Sequence, residues 1–259
     1  MPINPKKSLG QHWLEDKPTL EYIVGLADVT LADTILEIGP GQGDLTSQLI
    51  GKAKKVVAIE KDEKLAADLS SRGNLQIIAG DILEFDLTRL PNGYKVVSNI
   101  PYYLTGKLLR TLTRSSNPPL KMVLLLQREV AQRINAQPGD MNVLAVSTQL
   151  VYETKLGKVI PSSLFTPPPK VDSQVLILSK RKQPLFAITD EKLFFRVVKA
   201  GFSVRRKKLR NSLSGGLQIP KRQAEKILAR AGVDGELRAQ DLNLQMWHRL
   251  CISYQREKN

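Results

Sequence analysis

The chain has 259 residues, a net charge of +14, one cysteine (Cys251) and two histidines (His12 and His248). That excludes an intramolecular disulfide and a cysteine metal cluster, and it leaves too few imidazoles for a catalytic zinc site, so no metal is expected. The length suits one large domain with a small appendage, no apolar run approaches the roughly 20 residues that span a bilayer, and Met1–Lys7 lacks a signal-peptide core; a cytoplasmic protein is expected.

In chain order, short apolar strands alternate with helical stretches over the first 180 residues. Strands are expected at Thr34–Ile38, Lys55–Ile59, Leu75–Ala79, Lys95–Ser98 and Lys121–Leu126. Helices are expected at Leu45–Ile50, Glu63–Ser70, Thr105–Thr113 and Arg128–Asn135. This alternation predicts an α/β fold, a parallel sheet covered on both faces. Tyr152–Val159 and Ser173–Leu178 read as two further strands. They are joined by the proline-rich Phe165–Lys170, which is expected to be neither strand nor helix interior. Lys180-Arg181-Lys182-Gln183-Pro184 marks a boundary, dividing the chain into domains 1–182, with an arm at 1–14, and 183–259. Beyond it, Glu191–Gly201, Val204–Ser214, Lys221–Ala231 and Leu242–Tyr254 read as helices of a small all-helical domain.

Charge follows the same division. Residues 181–259 hold 18 Lys/Arg against 7 Asp/Glu, whereas residues 1–180 hold 21 against 18. A nearly neutral body with a basic C-terminal segment calls for a polyanionic partner, nucleic acid first. Arg205, Arg206, Lys207, Lys208 and Arg210 form its densest basic run and are the candidate phosphate contacts, read here as lying on a helix. No amphipathic anchor or lipidation signal points to a membrane.

Chemistry concentrates at the strand ends. Gly39, Gly41 and Gly43 in Glu37–Gly43 allow a sharp turn and close backbone approach to a ligand. A dehydrogenase fingerprint would place its third glycine at position 44, where this chain has Asp44, and no Gly-Lys-Ser/Thr follows, which excludes a P-loop. Glu60 ends the second strand, where a carboxylate can accept both hydroxyls of a ribose. Asp81 follows the third, placed to accept from an adenine amine. Together these groups favour S-adenosylmethionine as cofactor, because ligands bind at this edge of open α/β sheets. Asn99-Ile100-Pro101-Tyr102 ends the fourth strand. The Asn99 side-chain oxygen and the carbonyl of Ile100 or Pro101 can each accept one N–H of an exocyclic amine, turning its lone pair out of conjugation. Tyr102 can hold the base by stacking.

These segments resemble the ribosomal RNA small-subunit adenine N6,N6-dimethyltransferases along nearly the whole chain. The resemblance rests on Lys6–Leu14, Glu37–Gly43, Glu60, Asp81, Asn99–Tyr102, Gln127–Ala131, Phe165–Ser173 and Phe202–Asn211. It implies a Rossmann-like methyltransferase domain with a helical C-terminal domain, dimethylating two adjacent adenines near the 3′ end of small-subunit rRNA. The expected partner is that rRNA within the 30S subunit or its precursor, the expected state a monomer, and a role in subunit biogenesis follows. His12, Leu14, Gly39, Glu60, Asp81 and Asn99 would contact the cofactor; members often carry Asn at the position of His12. Pro101 supplies the second acceptor in this reading, and Phe165 would close on the base opposite Tyr102. Family members also often carry Tyr-Gly after the Pro-Gly of the 138–139 region, where Met141-Asn142-Val143 stands here. The rival readings are a large-subunit rRNA methyltransferase and a noncatalytic RNA-binding assembly factor on the same scaffold.

Overall fold

A computed structural model of the chain describes residues 11–69, 73–188 and 190–258. The Lys6–Gly10 part of the arm and Ser70 lie outside the described residues. Two compact units emerge, Met1–Gln132 with Tyr152–Lys180, and Arg133–Val151 with Arg181–Asn259.

The first unit holds β1 (Trp13–Leu14), α1 (Lys17–Leu26), β2 (Thr34–Ile38), α2 (Asp44–Leu49), β3 (Lys55–Glu60), α3 (Glu63–Leu69) and β4 (Leu75–Ala79). They are followed by β5 (Lys95–Asn99), α4 (Thr105–Arg114), β6 (Lys121–Gln127), most of α5 (Arg128–Ile134), and, after the 133–151 excursion, β7 (Tyr152–Ile160), β8 (Phe165–Thr166) and β9 (Ser173–Lys180). Seven strands form one sheet in the order β4-β3-β2-β5-β6-β9-β7. The first five are parallel; β9 runs antiparallel to both β6 and β7. The unbroken apolar run Met122–Leu126 of β6 is buried along its whole length, as a sheet covered on both faces requires. Residues 13–26, assigned no element from sequence, supply β1 and α1, which Asp16 caps by accepting the Thr19 N–H at 3.0 Å. β1 pairs antiparallel with β8, Leu14 opposite Phe165. Phe165–Thr166 is therefore a short strand, against expectation, because the arm offers its backbone a partner.

β2, β3 and β4 build the sheet outward in one direction and β5 and β6 in the other, so the strand order reverses between the parallel neighbours β2 and β5, and this opens the crevice. The two strands pair only at Ile35–Lys95 and Leu36–Val96. Past that point the Ser98 hydroxyl takes over, donating to the Ile38 carbonyl at 2.6 Å and accepting the Ile38 N–H at 3.2 Å. One buried serine thus lets the strands part without orphaning Ile38.

The second unit holds α6 (Val143–Gln149), α7 (Glu191–Gly201), α8 (Leu209–Leu217), α9 (Lys221–Ala231) and α10 (Leu244–Lys258). Residues 133–151, expected within the first domain, belong here. Ala136, Met141, Ala145 and Val146 are buried in its apolar core, and the Gly139 and Met141 N–H groups donate to the Gln240 carbonyl at 2.9 and 3.1 Å. Asn142 caps α6, accepting from the Ala145 N–H at 3.0 Å while donating to the Arg133 carbonyl at 2.8 Å. The expected Val204–Ser214 helix is interrupted. After a short 3₁₀ turn at Phe202–Val204, α8 starts only at Leu209, whose N–H donates to the Leu237 carbonyl at 2.7 Å instead of continuing a helix from above.

Candidate active site

A cavity opens at the carboxyl ends of β2, β3, β4 and β5 and is lined by the β1 arm, the glycine loop and the 99–104 turn. Gly39, Gly41 and Gly43 all have positive φ (65°, 60° and 89°), so the loop needs a left-handed backbone three times in five residues. At Gly41 space matters as well, since a Cβ would stand 2.9 Å from the Trp13 indole. Gly39 and Gly41 line the cavity; Gly43 does not, and instead precedes the first turn of α2.

Acidic side chains surround this loop. Glu60 is buried, its Oε2 accepting the Gly41 N–H at 3.1 Å and its Oε1 the Asp62 N–H at 2.9 Å. Burial raises its pKa against the pull of those bonds. Asp81 is the opposite case. Its Oδ1 accepts the Leu83 N–H and its Oδ2 the Lys61 ammonium, both at 2.9 Å, and these partners hold its carboxyl below the usual range. Glu37, next to last in β2, is buried, and its Oε2 has no partner among the described residues. Burial, reinforced by the negative charges of Glu60 and Asp44, pushes it up to about 8. Glu37, Glu60, Asp44 and Asp81 make a cavity suited to a ligand with positive charge and no phosphate.

The arm and the Asn99 turn lock together. Asn99 Nδ2 donates to the His12 carbonyl at 3.1 Å, which settles the amide orientation and commits its donor side. Among the described residues nothing donates to Asn99 Oδ1. His12 is itself held, its Nδ1–H donating to the Pro167 carbonyl at 2.7 Å and its ring stacking on Tyr102 with centroids 5.6 Å apart and planes 25° apart. Tyr102 is pinned at its other end by a 2.9 Å hydrogen bond between its hydroxyl and Ser173 Oγ. The Pro101 carbonyl accepts the Leu104 N–H at 2.9 Å to close a 3₁₀ turn, whereas the Ile100 carbonyl accepts no bond from the described residues. Of the two carbonyls weighed from sequence, Ile100 is the freer acceptor.

His12, Leu14, Gly39, Gly41, Glu60, Asp81, Asn99, Pro101 and Tyr102 therefore converge on one cavity. Phe165 does not join them. It is 3% exposed and packs in the apolar cluster with Leu14, Val97 and Val175. Once β8 pairs with β1, that side chain packs in the core and does not line the cavity. The basic run divides as well. Arg205, Arg206 and Lys207 are exposed in the turn before α8, while Lys208 and Arg210 both pair with Glu236.

Comparison with known proteins agrees with this geometry. The model of the ribosomal RNA adenine dimethylase family matches residues 3–256. The chain belongs to that family. It is 41% identical to Ribosomal RNA small subunit methyltransferase A of Pelotomaculum thermopropionicum, over 97% of this chain and 92% of that one. Among solved structures, the 23S rRNA methyltransferase ErmE superposes with a TM-score of 0.74 at 27% identity, covering 93% of this chain and 98% of its own. A dimethyladenosine transferase from Plasmodium falciparum shares the fold with a TM-score of 0.82 at 24% identity, covering 95% and 98%. Like the other members of its family, the protein is an rRNA adenine dimethyltransferase, built on a Rossmann-like sheet with a helical second unit. Sequence reasoning missed three residues of this dimethylase site. Ser98 closes the Lys95–Ser98 strand in the sequence, and only its position where two strands part reveals it. Glu37 opens the glycine-loop motif, and a carboxylate inside the otherwise apolar Thr34–Ile38 strand is its visible signal in the sequence. Tyr103 follows Tyr102 with no spacing rule to distinguish it, yet it lies at the cavity rim, 55% exposed.

Proposed function

We propose that the enzyme transfers methyl groups from S-adenosylmethionine to N6 of two adjacent adenines near the 3′ end of small-subunit rRNA, acting in the cytoplasm as a monomer on the 30S subunit or its precursor. The observation that carries the reading is the Asn99 amide, whose nitrogen donates to the His12 carbonyl while its oxygen, at the cavity, accepts no bond from the described residues. The small-subunit substrate draws support from the 41% identity to the Pelotomaculum enzyme, against 27% to the large-subunit enzyme ErmE.

S-adenosylmethionine supplies an electrophilic methyl group when bound. The residues present fit it: Glu60 would accept from the ribose hydroxyls, Asp81 from the adenine amine of the cofactor, and the left-handed Gly39 and Gly41 backbone would allow its close approach. Leu14 and His12 wall the same cavity. The substrate adenine leaves its stack and lies against Tyr102 on the ring face away from His12. Its two N6–H bonds point to Asn99 Oδ1 and the Ile100 carbonyl, so the N6 lone pair turns toward the methyl group. After displacement the surplus N6 proton passes to water. No side-chain nucleophile takes part, and the rate gain comes from positioning and oriented acceptors. Arg205, Arg206 and Lys207 contact phosphates, with Lys208 and Arg210 held beside them by Glu236.

Incubation of undermethylated small subunits with labelled cofactor, followed by mapping of the modified base, tests this. Label on two neighbouring adenines near the 3′ end is expected. Label elsewhere on the small-subunit rRNA, or no label at all, would overturn it.

A further inference from the structure

Helix α4 follows directly from the catalytic turn, and its two faces differ sharply. Leu108, Leu109 and Leu112 are buried against the unit's core. Lys107, Arg110 and Arg114 are exposed, and the helix carries no acidic residue. At 100° per residue Lys107 and Arg114 are nearly aligned, with Arg110 about 60° away, so the three make one stripe roughly 10 Å long. Tyr103 sits at the head of the stripe, an exposed aromatic ring on the cavity rim beside Tyr102. An aromatic ring leading into a line of cations is the pattern that holds single-stranded nucleic acid, the ring taking a base and the cations the backbone.

From this juxtaposition we propose that Tyr103 and the Lys107–Arg110–Arg114 face of α4 form a track for the single-stranded RNA that flanks the target adenine, with Tyr103 stacking the neighbouring base. The inference rests on the reading above and extends it. The RNA is gripped by the catalytic unit at the cavity rim, in addition to the basic run of the second unit. Two adjacent target bases make such a grip useful. When one adenine enters the cavity its neighbour needs a surface to rest on, and Tyr103 offers one. Among single-strand partners RNA fits best, because the stripe begins where the substrate base must enter.

The test uses the full chain and compares Arg110→Glu/Arg114→Glu with Lys52→Glu/Lys54→Glu. The control pair makes the same change in net charge at an exposed loop of the same unit, between α2 and β3. Tyr103→Ala and Tyr103→Phe test the ring. Lys107 is left intact because it acts electrostatically on Asp81. For the track variants KM for undermethylated small subunits should rise 10- to 100-fold, with kcat changed less than threefold and cofactor Kd unchanged. The control should stay within twofold. Tyr103→Ala should raise KM about tenfold, and Tyr103→Phe should keep the wild-type value. In direct binding to a single-stranded RNA of the target sequence, loss of two phosphate contacts should make the log Kd against log salt plot shallower by about 1 to 1.5. Equal weakening by the control pair, or an unchanged salt slope in the track pair, would overturn the proposal. Binding is read without methyl transfer. A wild type that binds this RNA yet never labels it would therefore sink the reading of the reaction and leave the track standing.

Discussion

Glu37→Gln gives the sharpest test of how the cofactor cavity is built. In the folded protein burial raises the Glu37 carboxyl from its ordinary 4.5 to about 8. Between these two pH values the unfolded chain releases a proton that the folded chain keeps. The contribution of Glu37 is therefore complete below pH 4.5 and is lost as pH rises toward 8 and beyond. The full span is worth roughly 5 kcal/mol, of which roughly 3 kcal/mol falls between pH 6 and pH 9. Glutamine keeps the shape without the titrating proton, so the stability of the variant should lack that fall, whatever constant offset its amide introduces. Urea denaturation followed by Trp13 fluorescence in a Trp247→Phe background reads the first unit across this range, with Glu37→Gln and its Glu37 parent compared in that same background. Parallel stability curves for the two chains would refute the argument that Glu37 is neutral in the fold. A second readout is cofactor affinity. A positively charged ligand favours the ionised carboxylate, so binding to the parent should release a proton near neutral pH that binding to Glu37→Gln does not.

Other outcomes follow from the same geometry. Asn99→Ala should cut methyl transfer by at least about 100- to 1,000-fold, the usual loss of one oriented catalytic partner, while rRNA affinity stays near the parent value in a filter-binding assay. Full turnover would remove the polarising role. Gly41→Ala combines a φ of 60° with a Cβ 2.9 Å from the Trp13 indole. It should lower stability by about 1–3 kcal/mol in thermal melts and weaken cofactor binding in calorimetry; an unshifted melt would contradict the packing. Arg205→Glu/Arg206→Glu should weaken rRNA binding and flatten its salt dependence, and an unchanged slope would count against phosphate contact there.

Most of the sheet was legible because its strands are short apolar runs ended by polar residues, a pattern local enough to read from the chain. Elements created by distant pairing were not. β1 and β8 are two residues each and exist only because they meet each other, 151 positions apart from Leu14 to Phe165. The same pairing moved Phe165 from the expected site into the core. Likewise the 133–151 segment reads as one more piece of an alternating α/β chain, yet its apolar side chains are used by the second unit's core. The Arg205–Lys208 run has helical composition, but the Leu209 N–H finds a partner in a loop nearly thirty residues away, and the helix starts late.

By itself the sequence determined which groups stand at the ends of the parallel strands, and therefore the class of chemistry. Strand order places Glu37, Glu60, Asp81 and Asn99 on one edge, and residue type decides what each accepts. Tertiary structure alone decided which atoms remain available. Asn99 commits one amide hydrogen to His12, Pro101 commits one lone pair of its carbonyl to Leu104, and Ser98 spends its hydroxyl on letting β2 and β5 part. A hydrogen bond needs a partner within about 3 Å at the right angle, and that partner is chosen by packing, not by spacing along the chain.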